Sequence, residues 1–300
     1  MAMASAYEAF LAEEAGDEWP PRVEILTAFR SLLLDPSAPV SDIARACMSR
    51  VIAEANPRPQ YGDLWSTLLG AVERFPEQCD RLVDFLIAIH QLPDCDGEFQ
   101  WLEGFMMHLD EFTYDYADHC FNEAKRDAER QRFVNANIFT IKFYQRLPRP
   151  NRFGSLINRG SWVLRKTLEH APWENFHHPR VENSIRDIEE DEEAFYNQKR
   201  DEALEVLDVR TLNGFVPAAA VWIGYCGKEI FEKEGSLGRE IAAYDKWKGQ
   251  GGWSKERWAF WKERFEWISN VTALDRKTRR IAKETVEWMG QIEQKEVGSL

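Results

Sequence analysis

The sequence lacks the short motifs that identify many catalytic sites. It contains no GxGxxG turn, no Walker loop, no HExxH pair and no nucleophile elbow. It also has no fixed-period repeat and no strand-like alternation of apolar and polar residues. We therefore expect a helical protein in which no motif defines a reaction.

Cysteine is scarce and shows no pairing pattern. The five cysteines are scattered along the chain, and no two form a CxxC pair. Because their number is odd and their spacing irregular, we expect reduced thiols inside a cell and no disulfide framework. Cys47 and Cys226 lie among apolar neighbours, which favours buried thiols that pack as small hydrophobic side chains.

Long apolar runs are also missing. The longest charge-free candidate, 215–227, is far shorter than the roughly 20 residues that span a bilayer. The amino-terminal sequence MAMASAYEAFLAEEAGDEW has neither the basic region nor the apolar stretch of a secretory signal. We expect no membrane insertion and a cytoplasmic location, with the nucleus as the alternative.

Positive charge is in deficit, since 38 Lys and Arg against 51 Asp and Glu give a net charge of −13. Affinity for nucleic acid depends on neutralising phosphates, so this balance disfavours a duplex-binding protein. The charge is uneven: residues 182–205 carry ten acids, whereas residues 254–290 carry nine bases against six acids. We interpret both stretches as solvated helix faces.

Apolar residues at spacings of three and four dominate the chain, as Leu82, Phe85, Leu86 and Ile89 illustrate. The pattern recurs often enough to predict an all-α, multi-helix globular array of roughly ten or more helices. Hydrophobic residues make up 44% of the sequence, which is sufficient for a core without disulfide or metal staples.

We expect residues 1–300 to form a single helical domain. The alternative is a subdivision near 148–152, where the sequence PRPN interrupts the helical pattern and separates 1–150 from 151–300.

Three local patterns make specific predictions about helices. One apolar seam predicts a continuous helix over about 98–127. Gly214 is placed to cap the end of one helix, and Pro217 to begin the next. Within that next helix, Ala220, Gly224 and Gly227 form a small-residue face that allows another helix to approach closely.

One cluster of ionisable residues lies on a predicted helix. At 100° per residue, His108, Asp115, His119 and Glu123 fall within about 80° of one another. Asp115 is one turn from His119 and is placed to orient its ring, so His119, Asp115 and Glu123 are the catalytic candidates. The alternative is a hydrogen-bonded core histidine. Because a single helix supplies too few ligands, we predict no bound metal and no other cofactor.

The segment NRFGSLINRGSW, 151–162, combines arginines with turn residues. Arg152 and Arg159 are anion-binding candidates, because guanidinium groups and backbone amides together suit an anion. The alternative is that these arginines pair with the protein's own acidic surface.

The stretch WKGQGGWSKERWAFWKERFEW, 247–267, holds five of the twelve tryptophans. Ser254 is a good N-cap for a helix in which Trp258, Trp261, Phe265 and Ile268 form one apolar stripe. Core packing explains such a stripe, since aromatic rings bury large areas.

The same stretch supplies candidates for binding. Trp247 and Trp253 flank the glycine-rich KGQGG, where helical periodicity gives no packing role. Trp247, Trp253, Trp258 and Trp261 are therefore the candidate ligand- or partner-binding residues, with Trp247 and Trp253 the strongest.

The pattern PAAAVWIGYCGKEIF followed by WKGQGGWSKERWAFWKERF resembles a family of uncharacterised fungal proteins, a domain-of-unknown-function group. The resemblance is strongest over about 216–267. It implies a fungal, intracellular, helical protein, and it implies no activity and no catalytic residue.

Two hypotheses of function follow from these patterns. The first is a helical interaction protein without catalysis that binds an unknown protein or forms a homo-oligomer. The alternative is a helical enzyme or binder of a small apolar ligand with an aromatic-lined pocket, in fungal specialised metabolism.

Overall fold

The computed structural model describes residues 2–53, 61–93, 98–114, 116, 118, 123–148, 151–169, 208–236 and 246–297. In these ranges every extended regular element is a helix, and an isolated antiparallel bridge joins Gly235 and Trp253. The all-α prediction is confirmed. None of the helices in these ranges is long and apolar enough to span a membrane.

The described α-helices are numbered in chain order. They are α1 (Ala2–Ala15), α2 (Val23–Leu34), α3 (Val40–Cys47), α4 (Ser49–Ala53), α5 (Gly62–Arg74), α6 (Cys79–His90), α7 (Glu98–Trp101), α8 (Phe105–Tyr114), α9 (Glu123–Arg146), α10 (Ile157–Leu168), α11 (Leu212–Glu232), α12 (Lys255–Asn270) and α13 (Arg276–Val297). Short 3₁₀ turns at Pro76–Gln78, Arg152–Leu156 and Val209–Thr211 lead into α6, α10 and α11.

The chain forms two compact units. Unit 1 contains Met1–Tyr116 and Ile138–Asn151, and unit 2 contains Ala117–Asn137 and Arg152–Leu300. The boundary passes through α9, whose residues are divided between the units. The expected single domain stays a prediction.

Aromatic side chains fill the core of unit 1. Phe29 meets Phe85 edge to face with ring centroids 5.5 Å apart, which joins α2 to α6. Phe105 of α8 makes similar contacts with Trp65 at 5.3 Å and with Phe143 at 5.8 Å. Such edge-to-face pairs add to the stabilisation from burial alone, because the positive ring edge faces a negative ring face.

The prediction of one continuous helix over about 98–127 is wrong, because the helix is interrupted between α7 and α8. Leu102 has a φ of 46° and Gly104 a φ of 75°, both in the left-handed region that ends a right-handed helix. The carbonyl of Glu103, within this break, accepts a hydrogen bond from Trp65 Nε1 at 2.7 Å. Tertiary contacts thus compensate for a break that the apolar spacing concealed.

Unit 2 packs α11 against both α10 and α13, and α12 against α13. Trp222 of α11 is fully buried, and its Nε1 donates to Asn137 Oδ1 at 2.7 Å. The α10 backbone approaches this ring at Gly160, where a Cβ atom would lie 2.5 Å from Trp222 Cε3. Only glycine permits that approach.

The predicted boundary at Gly214 and Pro217 is also wrong. Helix α11 begins at Leu212, so both residues lie inside it. Asp208 caps the preceding 3₁₀ turn by accepting a hydrogen bond from the Arg210 amide at 2.7 Å. Pro217 lies near the amino-terminal end of α11, and its missing N–H removes a single intrahelical hydrogen bond there.

The small-residue face of α11 is confirmed as a close internal contact. A Cβ atom at Gly227 would lie 2.6 Å from Ile292 Cδ1, and one at Gly224 would lie 3.5 Å from Trp288 Cζ3. Both neighbours belong to α13. Gly227 therefore allows α13 to lie directly against α11, whereas a Cβ at Gly224 would make an ordinary van der Waals contact.

Candidate functional site

The tryptophan-rich segment begins with a capped helix, as predicted. Ser254 has an extended backbone, and its Oγ accepts a hydrogen bond from the Arg257 amide at 3.1 Å. Glu256 in the first turn has a pKa below its ordinary value because its own backbone N–H and the Ser254 side chain hydrogen-bond to its carboxylate. These contacts satisfy amide groups that have no partner within the helix.

The predicted stripe on α12 is confirmed. Trp258, Trp261, Phe265 and Ile268 are all buried, with at most 2% of their surface exposed. Trp258 meets Phe231 of α11 edge to face at 5.2 Å, and its Nε1 donates to Glu293 of α13 at 2.8 Å. This tryptophan therefore joins three helices of unit 2.

A fully buried carboxylate lies beneath the tryptophan-rich segment. Glu169 lies directly after α10 and accepts two hydrogen bonds from Arg257. Arg257 Nε donates to Oε1 at 2.6 Å, and Nη2 donates to Oε2 at 2.7 Å. Trp261 Nε1 donates to Oε1 at 2.7 Å, and Arg165 Nε donates to Oε2 at 3.4 Å. We call these four residues the Glu169 cluster.

Burial makes the Glu169 cluster interdependent. The side chain of Glu169 is 0% exposed and those of Arg257 and Arg165 are 3% and 4% exposed. Removing charges from water costs several kcal/mol per ion, which paired and hydrogen-bonded partners offset. Both carboxylate oxygens already accept two hydrogen bonds each, so the chemistry of the cluster is that of a structural anchor.

Trp253 occupies a buried position beside this cluster. Its ring meets Trp261 edge to face at 6.1 Å, and its backbone N–H donates to the Gly235 carbonyl at 2.6 Å. Gly252 has a φ of 96°, and a Cβ there would lie 2.4 Å from the Gly235 oxygen, so the turn requires glycine. Among the described residues, none accepts a hydrogen bond from the buried Trp253 Nε1.

Trp247 lies over the outer side of Arg257. The guanidinium carbon is 5.2 Å from the Trp247 ring centroid, and the Phe260 ring is 5.3 Å away. Trp247 Nε1 donates to the Gln250 carbonyl at 2.9 Å, which closes the glycine-rich turn. Because Trp247 is only partly buried, it is the member of the four candidate tryptophans whose ring is open to solvent.

The structure thus brings Trp247, Trp253 and Trp261 together around the Glu169 cluster, while Trp258 contacts α11 and α13. All four rings make contacts within unit 2, and those of Trp253, Trp258 and Trp261 are buried there. A ligand- or partner-binding role for the four residues stays a prediction.

The two arginines proposed for an anion have different surroundings. The Arg152 guanidinium lies over the Phe153 ring at 5.5 Å, whereas Arg159 is buried with 5% of its surface exposed. The anion-binding role stays a prediction.

The proposed catalytic cluster falls largely outside the described residues. Asp115, His119 and the side chain of Glu123 are not among them. His108 is, and its Nδ1 lies 3.0 Å from the Gly104 carbonyl. In the ranges that the structure describes, no three His, Cys, Asp or Glu side chains are grouped as metal ligands. The catalytic role of His119, Asp115 and Glu123 stays a prediction.

The described cysteines are buried, as expected for Cys47 and Cys226. Burial raises the pKa of the Cys47 thiol to about 12 and that of Cys79 to about 11. Because the thiolate is the reactive form, neither thiol is a nucleophile near neutral pH.

Several large apolar side chains lie at the surface instead of in the core. Trp19 is 82% exposed and Trp101 is 55% exposed in unit 1, and Trp288 is 41% exposed in unit 2. Isolated exposed apolar residues are common, but tryptophan is the residue type most enriched at interaction hot spots.

The sequence patterns did not identify Glu169 or Trp288 as notable residues. Glu169 is a single acid at a helix end, and its partner Arg257 is 88 residues away in the chain. The nine bases against six acids in 254–290 were the available signal for the surface that surrounds Trp288.

The fold and the buried cluster define an all-α protein whose tryptophan-rich segment is anchored on an internal carboxylate. A family model described as "Protein of unknown function (DUF3632)" matches residues 65–265, which is more than half of the chain. The chain belongs to this family, which confirms the resemblance and extends it well upstream of 216. No curated protein and no solved structure matched the chain.

Proposed function

We propose that this protein is a non-catalytic helical interaction protein that acts in the cytoplasm, with the nucleus as the alternative location. A fungal origin, implied by the sequence resemblance, is part of the same proposal. The partner is another protein or a second copy of this chain.

One observation carries the proposal. Trp253, Trp258 and Trp261 are at least 97% buried, whereas Trp19, Trp101 and Trp288 present large apolar area to solvent. In a protein with an aromatic-lined ligand pocket, the aromatic rings would line an internal cavity large enough for the ligand. Outward-facing tryptophans instead favour a flat or grooved contact with a macromolecule, since large aromatic side chains dominate interface energetics.

The test uses the full-length purified protein. Light scattering measures its oligomeric state, and the immobilised protein captures partners from a fungal lysate. A captured protein is then purified separately and mixed with this chain, where we expect one complex of fixed stoichiometry. A strictly monomeric protein that retains no partner would contradict the proposal.

Two variants make the capture specific. Trp19→Ser and Trp288→Ser remove exposed tryptophans from units 1 and 2, respectively. We expect one of them to lose the partner while its melting temperature stays at the wild-type value. If a variant loses the partner only because its own melting temperature has fallen, that result would also count against an interaction surface at the substituted tryptophan.

A second candidate function rests on Trp253. Its Nε1 is a buried donor that no described residue satisfies, and such a group costs free energy unless something accepts its hydrogen bond. A small ligand with an acceptor atom would fill that role, as in the alternative of an aromatic-pocket binder or enzyme. Native mass spectrometry of the purified protein, compared with Trp253→Phe, would reveal a bound small molecule that only the wild type retains.

A further inference from the structure

The first half of helix α13 carries a group of positively charged side chains that are exposed to solvent. Five basic side chains precede the first carboxylate of the helix, Glu284, and four of them are exposed to solvent: Arg276, Lys277, Arg280 and Lys283. We call these four residues the basic face. At about 100° per residue they span an arc of about 120°.

The position of the basic face is unfavourable for the helix itself. The amino-terminal end of a helix carries a partial positive charge. A nearby anion therefore stabilises the helix by about 0.3–1 kcal/mol, and a nearby cation destabilises it by a similar amount. The first turn of α13 contains no acid. The arrangement therefore does not stabilise the helix itself.

Internal ion pairs leave most of the basic face unused. Arg280 lies 3.7 Å from Glu284, and the neighbouring Asp275 lies 3.6 Å from Arg130 instead. Among the residues that the structure describes, no carboxylate forms an ion pair with Arg276, Lys277 or Lys283. These cations remain available to a partner.

An exposed tryptophan lies on the same side of α13 as Lys277, about three turns further along the helix and beyond Glu284. Trp288 is 41% exposed and lies about 20° around α13 from Lys277. Its ring rests over Gly224 of α11, and the next residue, Tyr225, is 47% exposed. Together, Lys277 and Trp288 define a surface about 16 Å long on unit 2, the length of about three helical turns.

We propose that this surface binds an acidic protein segment that also carries apolar side chains, a proposal that rests on the proposed interaction function. Carboxylates of the partner pair with the basic face, and an apolar side chain packs on Trp288. Charge complementarity of this kind speeds association and selects the partner. A nucleic acid is the less suitable polyanion, because a long phosphate chain would extend beyond the basic face onto the rest of a protein whose net charge is −13, whereas a short acidic segment need not.

The experiment measures fluorescence anisotropy of a labelled synthetic peptide against the full-length protein. The peptide is a helix-forming sequence of about 15 residues with glutamates on one face and leucines on the next. A matched peptide carries glutamine in place of each glutamate. We expect the acidic peptide to bind about tenfold more tightly, and its affinity to fall as salt is raised.

Protein variants locate the contact. Arg276→Glu, Lys277→Glu and Arg280→Glu are combined in one protein, and Trp288→Ala is made separately. We expect each protein to bind the acidic peptide about tenfold more weakly or worse. The triple change places anions at the start of α13, where they stabilise the helix, so the melting temperature should not fall.

Matched controls separate local from general effects. The combination Arg45→Glu, Lys125→Glu and Lys248→Glu changes the net charge equally at exposed positions elsewhere, and Trp19→Ala removes an exposed tryptophan from unit 1. Both controls should bind the acidic peptide as the wild type does.

The outcomes separate this inference from the proposed function. Equal binding of the two peptides, unchanged binding by the triple variant, or tighter binding of a single-stranded oligonucleotide would overturn the acidic partner. If a captured partner still binds the triple variant, the interaction function stands and this surface is wrong. If the protein retains no partner and binds neither peptide, both proposals fail.

Discussion

At the scale of single residues, the buried Glu169 carboxylate organises the tryptophan-rich segment. Arg257, Arg165 and Trp261 all donate to it, and the backbone carbonyl of Glu169 accepts the Lys246 amide at 2.9 Å. One residue therefore connects the end of α10 to α12 and to the glycine-rich turn. The crowding of tryptophans reflects this anchoring, with Trp247 at its solvent edge.

Glu169→Gln tests this role. The substitution keeps the shape of the side chain but leaves Arg257 as a buried, uncompensated cation. We expect the free energy of unfolding to fall by about 3–5 kcal/mol, measured by urea denaturation. Glu263→Gln, at an exposed position of α12, is the control and should change it by less than about 0.5 kcal/mol. Equal small effects in the two variants would show that the cluster is dispensable.

Ser254 makes a smaller, local contribution. Ser254→Ala removes the oxygen that accepts the Arg257 amide and should lower the free energy of unfolding by about 1 kcal/mol. Ser254→Gly should recover most of that loss, because glycine is tolerated at an N-cap. Thermal denaturation of the three proteins provides the comparison, and no difference between alanine and wild type would refute the cap.

At the scale of helices, glycine positions set the distances within unit 2. Gly160, Gly224 and Gly227 each face a large side chain of a neighbouring helix. Gly290 of α13 differs, because a Cβ there would meet only the flexible end of Lys262 at 3.5 Å. The same substitution is therefore expected to have opposite effects at two helical glycines.

Gly160→Ala should destabilise the protein. The added methyl group overlaps the buried Trp222 ring, and such overpacking costs about 1–3 kcal/mol. Gly290→Ala should stabilise by up to about 1 kcal/mol through helix propensity. Urea denaturation of both variants checks the prediction, and stabilisation at Gly160 would mean that α10 and α11 are more loosely packed than the structure shows.

At the scale of the whole molecule, acid should weaken both units. In unit 1, a hydrogen bond from Lys142, the largest effect, lowers the pKa of Asp80. In unit 2, burial acts to raise the pKa of Asp208, but hydrogen bonds from Arg210 outweigh it and lower the pKa. A carboxyl group whose pKa is lower in the folded than in the unfolded chain stabilises the fold at pH values above its unfolded pKa, which is near 3.8. This stabilisation is lost as the pH falls through the lowered pKa of the folded state.

The prediction is a drop in stability between about pH 5 and pH 3 that is shallower in the Asp80→Asn, Asp208→Asn protein. Chemical denaturation at a series of pH values measures the slope. Because Asp80 is largely exposed, its part of the change should be screened by salt. Parallel pH profiles for wild type and variant would contradict the assignment.

Much of this architecture follows from periodicity in the sequence. The α12 stripe, its Ser254 cap and the close approach at Gly224 and Gly227 are local patterns of three, four and seven residues. Glu169 could not be found in this way, because its bonds to Trp261 cross 92 residues of sequence. The break at Leu102 was hidden for a similar reason, since tertiary contacts support a left-handed leucine that propensity disfavours.

The central claim is that partner binding occurs at the surface of α13, while the tryptophan-rich segment forms a packed core. The most direct measurement compares Trp288→Ala with Trp258→Phe, using calorimetric titration with the acidic peptide and thermal denaturation of each protein. We predict that Trp288→Ala binds the peptide about tenfold more weakly or worse while the protein remains folded at the temperature of the titration. Trp258→Phe should lose about 1–3 kcal/mol of stability and keep the wild-type affinity. The reverse pattern, with binding lost at Trp258 and retained at Trp288, would contradict the claim.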